Sequence, residues 1–391
     1  MNTLTLTQKQ NEELTIEKAL RKIFGDEGVK DFERMRTSSD SSTWKCTIET
    51  SKGLFMHFFI KAKSSGVDAA DFVINRLVSN MMYRMHQGKD HHYGMFACSK
   101  DGMDAQELKW ARDGAIPFPE ITSDSVILEI QRFVQGPTLT QILRSRADRK
   151  TLRYDDHVLI EQICKSFKKI HSVRPEKDIG IDNEEQREGA YAHKLNRLYN
   201  KAIKNVRERI SNHVPHPKEC HHPIITEGET DRIEKISEKL IDRWIGRGDR
   251  LGALHGDLRT ENLILVSTGS EVTDSKIEIP AGTEIVPIDF SRIMWGPRGY
   301  DWGRFFMDIV ELFCESNCEY YRNFILHATR EYAALWEDPE LNSESCFGVF
   351  SMTLIKVDPL GTPIQNPRVA KKVYDIGMRI AESGTVQVFE A

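Results

Sequence analysis

The residues best suited to chemistry lie in two stretches, ALHGDLRTENLILV at 253–266 and EIVPIDFSR at 284–292. Asp257 and Asn262 stand five positions apart in the first stretch, and Asp289 follows an apolar run in the second. A carboxylate on a loop can accept the proton of a hydroxyl group that attacks phosphorus, and amide and carboxylate oxygens are ligands that Mg²⁺ prefers. Kinases use one carboxylate to accept the hydroxyl proton and other oxygen-bearing side chains to hold the metal ion at the phosphates. The spacing therefore predicts Asp257 as the catalytic base and Asn262 and Asp289 as Mg²⁺ ligands.

The elements that must position these residues fall into two groups along the chain. The runs VKDFERMR, WKCTIET, LFMHFFIKAK and SVILEIQRF are rich in β-branched and aromatic residues, and SKG between the second and third is typical of a hairpin turn. Beyond a Gly-Pro turn, the chain changes to long amphipathic helical patterns such as DHVLIEQICKSFKKIHSV. The sequence thus predicts an α+β protein with two lobes, and it places an N-terminal domain at 1–136 and a C-terminal domain at 137–391.

Composition narrows the class of protein. The chain has 391 residues with 39% hydrophobic and 29% charged residues, as expected of a globular protein. No run of 18 apolar residues predicts a membrane span, and the N-terminal residues carry no apolar signal segment. A net charge of −5 argues against a nucleic-acid partner. Seven scattered cysteines are typical of reduced thiols in a cytoplasmic protein, which is the predicted location.

The order of motifs resembles one family. The run HGDLRTEN with the later IDF, together with FFIKAK, AQELKWARDGAIPFPEI, VILEIQRFVQGPTL and GPRGYDWGRF, is similar to the aminoglycoside phosphotransferase and choline kinase family, and most of all to methylthioribose kinases. The resemblance implies a bilobal protein-kinase-like fold, with a small antiparallel-sheet N-lobe and a large, mainly helical C-lobe. It also implies an ATP- and Mg²⁺-dependent phosphotransferase acting on a hydroxyl of a sugar, amino-alcohol or aminoglycoside-like acceptor, with a methylthioribose-like sugar favoured.

The resemblance also assigns the residues that bind the nucleotide. Lys61, at the end of an apolar strand, takes the role of the phosphate-binding lysine, and its acidic partner is Asp104, with Glu107, Asp68 and Asp71 as alternatives. The adenine-binding hinge strand and the phosphate-covering loop, which has no glycine between Thr37 and Thr43, supply the remaining nucleotide contacts, namely Glu129, Ile130, Gln131, Ser39, Ser41 and Ser42. In the same family the histidine of the catalytic loop is structural, so we expect His255 to support the loop, and Asp301 to accept backbone hydrogen bonds from it.

The acceptor is expected beside Asp257. The candidate substrate residues are Arg259, Trp295, Arg298, Trp302 and Arg304, because the acceptor should lie between the catalytic loop and the helices of the C-lobe. The mixture of arginines with acids after Asp289 favours a neutral or partly anionic hydroxyl compound over a polycation. Choline stays open as an acceptor, because the aromatic residues near 295–302 could form a cage around an ammonium group.

Several other interpretations remain. A nucleotide-binding pseudoenzyme or scaffold is the main alternative to an enzyme, whereas a protein kinase is disfavoured because GPRGYDWG follows IDFS almost at once and leaves no activation loop. The His-rich segment around Cys220 has poor spacing for zinc, and Cys314 and Cys318 are expected on one face of a helix. The sequence does not assign a role to the segments 63–102, 212–231 and 267–283, which are interpreted as insertions. It also leaves monomer and homodimer open.

Overall fold

The computed structural model divides the chain into two compact units, residues 1–134 and 135–391. The sequence had placed this boundary two residues later, after position 136. The structure describes residues 16–18, 20–21, 29–37, 41–49, 55–63, 93–98, 126–132, 134, 136–172, 225, 227–243, 251–266, 279, 283–289, 294–357 and 364–390.

The N-terminal unit contains a five-stranded antiparallel sheet. Its strands are β1 (Val29–Thr37), β2 (Ser41–Glu49), β3 (Phe55–Lys63), β4 (Tyr93–Cys98) and β5 (Val126–Arg132), in the spatial order β1-β2-β3-β5-β4. The predicted hairpin through SKG is confirmed, because Glu49 of β2 lies opposite Phe55 of β3. Trp44, Cys46 and Ile48 are buried at alternate positions of β2, so the pattern of the sequence follows the two faces of a strand.

The segment 63–102 is not entirely an insertion outside the sheet. Its residues 93–98 form β4, which pairs with β5 from Tyr93 opposite Gln131 to Cys98 opposite Val126. This strand is not evident from the sequence, because YGMFAC is short and is flanked by histidines and polar residues instead of a second clear apolar run. Segment 63–102 therefore contributes one edge strand to the sheet.

The C-terminal unit is mainly helical in the residues that the structure describes. Its helices are α1 (Leu139–Arg144), α2 (Tyr154–His171), α3 (Glu227–Asp242), α4 (Gly299–Ser316), α5 (Glu319–Trp336), α6 (Leu341–Val357) and α7 (Pro367–Ser383), followed by a 3₁₀ helix at Val386–Glu390. Two short antiparallel pairs accompany them, β6 (Leu251–Leu254) with β9 (Met294–Pro297) and β7 (Leu263–Val266) with β8 (Glu284–Pro287). The predicted helices at 156–173 and 231–248 are confirmed as α2 and α3, whereas the one predicted at 190–210 lies outside the described residues.

Helix α4 is the centre of this unit. Almost all of its residues are buried, including both the apolar ones and the charged Asp301, Arg304 and Asp308. Its first turn packs on an aromatic cluster, in which Trp302 stacks on Tyr332 of α5 with ring centroids 4.2 Å apart. A helix buried on all sides is held by packing rather than by its own propensity. Its position is therefore well defined, and it can fix other residues in place.

Two glycines allow α4 and α6 to approach each other closely. A Cβ atom on Gly303 would lie 2.0 Å from the backbone oxygen of Ser345, and one on Gly348 would lie 1.9 Å from the backbone oxygen of Tyr300. Both distances are far inside van der Waals contact, and backbone atoms of packed helices cannot yield as a flexible side chain would. Gly303, the second glycine of GYDWG, thus has a packing role.

We expect Gly303→Ala to lower the free energy of unfolding by at least about 1–3 kcal/mol, because the added methyl group forces the helices apart. Gly228→Ala is the matched control, since nothing lies within 4 Å of a Cβ at Gly228 in α3. Alanine in a helix is favoured over glycine by up to about 1 kcal/mol, so the control should be neutral or stabilising. Urea unfolding of the two variants measures both effects, and equal stabilities would contradict the packing role.

The structure describes the side chains of five of the seven cysteines. Cys46, Cys164, Cys314, Cys318 and Cys346 are free thiols, and burial raises the pKa of Cys46, Cys314 and Cys346 to about 12. The prediction that Cys314 and Cys318 share one helix is wrong, because α4 ends at Ser316 and Cys318 is the N-cap of α5. Among the described helices, none has the length and apolar composition needed to cross a membrane.

Candidate active site

The loop 255–262 connects β6 to β7 and contains both Asp257 and Asn262. Gly256 has a φ of 77°, a left-handed conformation that glycine adopts without strain and that turns the chain immediately before Asp257. The loop ends in a 3₁₀ turn, Thr260–Asn262, which leads directly into β7. Asp257 thus stands, partly exposed, on a short loop with a strand at each end.

Asp301, in the first turn of α4, holds the start of this loop. Its Oδ2 accepts from the backbone N–H of His255 at 2.6 Å, and its Oδ1 accepts from the N–H of Gly256 at 3.0 Å. His171, the last residue of α2, lies 3.1 Å from the same Oδ2 through its Nε2, and its Nδ1 contacts the hydroxyl of Tyr332. The prediction that Asp301 receives backbone hydrogen bonds from the catalytic loop is therefore confirmed.

His255 is a structural residue, as predicted. Its side chain is fully buried, and burial lowers its pKa in spite of the nearby carboxylates, so the ring is neutral at physiological pH. Nε2 lies 2.8 Å from the backbone oxygen of Ile288, and Nδ1 lies 3.4 Å from the N–H of Asp257. The two contacts fit one tautomer, with the proton on Nε2. His255 thereby ties the catalytic loop to the residue before Asp289.

Asn262 and Asp289 are brought to this same place by the β7–β8 pair. The N–H of Ile288 donates to the backbone oxygen of Asn262 at 2.9 Å, which sets Asp289 one residue from Asn262 across the pair. The side-chain Nδ2 of Asn262 donates to the backbone oxygen of Asp257 at 2.8 Å. Because the amide nitrogen faces the loop, the amide oxygen is on the opposite side of the group.

Asp289 has a φ of 62°, in the left-handed region. Aspartate is one of the few residues other than glycine that adopt this conformation, at a cost of about 1–2 kcal/mol. Such backbone conformations are found preferentially at functional sites, where the surrounding structure maintains them. Within the described residues, no group of three His, Cys, Asp or Glu side chains could hold a metal. An Asn–Asp pair of oxygen ligands instead fits an ion that keeps waters and phosphate oxygens, as Mg²⁺ does.

The carboxylate of Asp257 forms an ion pair with a buried arginine. Nη2 of Arg304 donates to Oδ1 of Asp257 at 2.6 Å, and the side chains of Arg304 and Asp257 are 2% and 16% exposed. Burial by itself lowers the pKa of Arg304, but its interactions with Tyr300 and Asp257 raise the pKa above the ordinary value. Arg304 is therefore charged, and the predicted base has a fixed cationic neighbour.

The end of the loop is held by Asp308, which lies further along α4. Its Oδ2 accepts from the backbone N–H and the hydroxyl of Thr260 at 2.8 and 2.6 Å, and its Oδ1 accepts from Lys356 at 2.8 Å. Burial alone would raise the pKa of Asp308, but Lys356 and Arg259 outweigh it and hold the pKa well below its usual range. This role of Asp308 was not predicted from the sequence. Asp301, Arg304 and Asp308 follow one another at spacings of three and four, which puts them on one face of α4 and was the available signal.

Comparison with known proteins agrees with this architecture. No protein-family model matches the sequence, and the search of curated proteins found no match. The structure matches a choline kinase from Cryptosporidium parvum Iowa II with a TM-score of 0.52 at 11% sequence identity, over 94% of this chain and 95% of that one. The chain therefore has a protein-kinase-like fold. The predicted fold class is confirmed, with an antiparallel sheet in one unit and mainly helices in the other.

Two further matches have TM-scores below 0.5. One is an ethanolamine kinase from Plasmodium vivax, with a TM-score of 0.48 and 13% identity over 92% of this chain and 83% of that one. The other is an amicoumacin kinase in complex with AMP-PNP, Ca²⁺ and Ami, with a TM-score of 0.49 and 10% identity over 98% and 97%. The fold that the resemblance to these kinases implied is confirmed. The particular similarity to methylthioribose kinases stays a prediction.

Among the residues predicted to contact the acceptor, Trp302 does not lie at the site. It is fully buried in the kinase-like fold, stacked on Tyr332, and its Nε1 donates to the hydroxyl of Thr329 at 3.0 Å. We therefore reassign Trp302 to the core. The sequence could not separate these roles, because a tryptophan beside charged residues is equally compatible with a binding site and with a buried helix.

Arg304 pairs with Asp257, and the other three candidates have different positions. Arg298 lies over the ring of Trp336 at 4.3 Å and 3.8 Å from Asp338, so its guanidinium group already has contacts within the fold. Arg259 is partly exposed on the catalytic loop itself, with Asp308 at 3.8 Å. Trp295 belongs to β9, opposite Ala253, and its side chain lies outside the described residues. Arg259 is the candidate whose position best suits an acceptor.

The predicted nucleotide residues lie in the N-terminal unit. Lys61 lies in β3 opposite Thr43 of β2 and Glu129 of β5, so two strands of the predicted site flank it. The backbones of Ile130 and Gln131 in β5, and of Ser41 and Ser42 in β2, are described, but their side chains are not. Ser39, Asp104 and the alternatives Glu107, Asp68 and Asp71 lie outside the described residues, as do the histidine-rich segment and almost all of 267–283. The acidic partner of Lys61 stays open.

Proposed function

We propose that this chain is an ATP-dependent kinase that transfers the γ-phosphate to a hydroxyl group of a small molecule. The observation that carries the proposal is the convergence of Asp257, Asn262 and Asp289 on one loop and one strand pair, through hydrogen bonds of 2.8 and 2.9 Å. The kinase-like fold also supports the proposal. A scaffold that catalyses no reaction would have no need for these three side chains in one place.

In this proposal Asp257 accepts the proton of the acceptor hydroxyl as the hydroxyl oxygen attacks the γ-phosphorus, and the bond from that phosphorus to the β,γ-bridging oxygen breaks, so that ADP leaves. Asp301 and His255 keep the loop in place during this step, because they bind its backbone rather than the reactants. Asn262 and Asp289 would hold Mg²⁺, which supplies positive charge to the phosphates when bound. Their hard oxygen donors and the strained backbone of Asp289 fit this role.

The nucleotide roles are proposed from the family resemblance and the strand register. Lys61 would bind the phosphates, and the backbone and side chains of Glu129–Gln131 would receive the adenine. Ser41 and Ser42, at the start of β2, and Ser39 would offer N–H groups to the phosphates. Asp104 stays the first candidate for the partner of Lys61.

The acceptor class follows from charge. Arg304 already compensates Asp257, and Arg259 stands two residues further along the loop, so a cationic acceptor would gain little attraction there. A neutral sugar such as a methylthioribose-like pentose is therefore our first candidate. Choline or ethanolamine is the second candidate, and the similarity of the fold to a choline kinase favours it. We also propose that the protein acts in the cytoplasm, where its free thiols stay reduced.

ADP release from Mg·ATP, measured against a panel of acceptors, tests this function. The panel would contain methylthioribose and related pentoses, choline, ethanolamine, homoserine and aminoglycosides. Turnover with a sugar supports the first candidate, and turnover with choline or ethanolamine alone supports the second. ATP binding without turnover on any acceptor would favour the pseudoenzyme, and a failure to bind ATP would exclude a kinase altogether.

A further inference from the structure

Arg304 forms contacts beyond its ion pair with Asp257. Besides Oδ1 of Asp257, Arg304 contacts the hydroxyl of Tyr300 with Nη1 at 3.3 Å, and its guanidinium carbon lies 5.8 Å from the centre of the Tyr300 ring. Tyr300 and Arg304 are both on α4, one turn apart. The arginine is therefore held on the same rigid helix that holds both ends of the catalytic loop.

Stability alone does not account well for this arrangement. A buried ion pair costs desolvation that its attraction barely repays, and apolar replacements of similar volume are often as stable. Nε of Arg304 is also buried without a hydrogen-bond partner among the residues that the structure describes, which adds to the cost. Because burying the Arg304 guanidinium group costs free energy, we infer that its position beside Asp257 serves the reaction rather than stability.

We propose that Arg304 is a positioning residue for Asp257. By binding Oδ1, the planar guanidinium group fixes the orientation of the carboxylate, so that Oδ2 is directed at the acceptor hydroxyl. An ammonium group would supply the charge without the same fixed geometry. The inference rests on the proposed function, since it names the residue that orients the proposed base.

The pairing itself can be tested without any acceptor. A double-mutant cycle would compare Arg304→Met, Asp257→Ala and the double variant by thermal unfolding. We expect Arg304→Met to lower Tm by several degrees, because it leaves the carboxylate without its cation. The double variant should recover part of this loss. Arg232→Met is the matched control, since Arg232 pairs with Glu382 at the surface, and it should shift Tm little. Additive shifts in the cycle would overturn the pairing.

The positioning role is tested by kinetics with the acceptor that the panel identifies. We expect Arg304→Met to lower kcat by about 10²-fold, as a misplaced catalytic group does, with the KM values for ATP and acceptor nearly unchanged. Arg304→Lys should retain more activity than Arg304→Met, because it keeps the charge. A purely structural arginine would predict equal losses in both variants, or losses that follow Tm.

The outcomes separate the inference from the proposed function. Unchanged kcat in a folded Arg304→Met variant, with an active wild-type chain, would overturn the positioning role and leave the kinase intact. Absence of turnover by the wild-type chain would overturn the proposed function, and the positioning role with it. A selective fall in kcat with partial rescue by lysine supports both.

Discussion

Asp257→Asn is expected to lower kcat by about 10²- to 10⁴-fold, the usual contribution of a positioned general base. The amide is nearly the same size as the carboxylate and can still accept from Nη2 of Arg304, but it cannot accept the proton of the acceptor hydroxyl. Because Asn262 and Asp289 are untouched, we expect ATP affinity to stay close to that of the wild-type chain. Steady-state ADP release and ATP titration of the two proteins measure the two effects.

Asp375→Asn is the matched control for this substitution. Asp375 is an exposed residue of α7 that pairs with Lys371, so its replacement should leave kcat unchanged. Thermal unfolding of both variants shows whether a loss of activity follows a loss of fold. Wild-type turnover by a folded Asp257→Asn variant would show that another group takes the proton, and it would contradict the proposed base.

The catalytic loop could be predicted because its residues are close in sequence. Asp257 and Asn262 belong to one short segment, and Asp289 follows a strand whose apolar pattern is clear. The supporting role of Asp301 came from the resemblance to known kinases rather than from spacing. The structure shows the contact itself, since Asp301 lies in the first turn of α4 and accepts from the backbone N–H groups of His255 and Gly256.

The sequence offered Arg304 only as a residue lining the acceptor, and neither its ion pair with Asp257 nor the role of Asp308 could be predicted, although their spacing was visible. A helix that is buried on all sides has apolar residues around its whole circumference, so the sequence does not show which face meets the loop. Trp302 illustrates the same difficulty from the other side, because it lies next to Asp301 in sequence but points into the aromatic core. Long-range packing decides these assignments, and one sequence carries little information about it.

Asp308→Asn is expected to lower the free energy of unfolding by about 3–5 kcal/mol, because it removes one partner from a buried ion pair. Among the described residues, Lys356 would stay charged in the interior with Glu311 as its remaining partner, and Thr260 would lose its charged acceptor. The pH dependence has a definite sign. The pKa of Asp308 is lower in the folded chain than its ordinary value of 3.8, so its contribution is fully present above that value. This contribution is lost as the pH falls toward the folded-state pKa.

The wild-type chain should therefore lose stability more steeply than Asp308→Asn on acidification below about pH 4. Urea unfolding at a series of pH values compares the two slopes. The double variant Asp308→Leu with Lys356→Met is the sharper control, because replacing both charges with apolar groups should restore much of the stability. It would still lack the acceptor for Thr260, so we expect it to fold and yet to have low kcat. A double variant with full activity would show that the catalytic loop does not need Asp308, and the role of α4 would then be limited to Asp301 and Arg304.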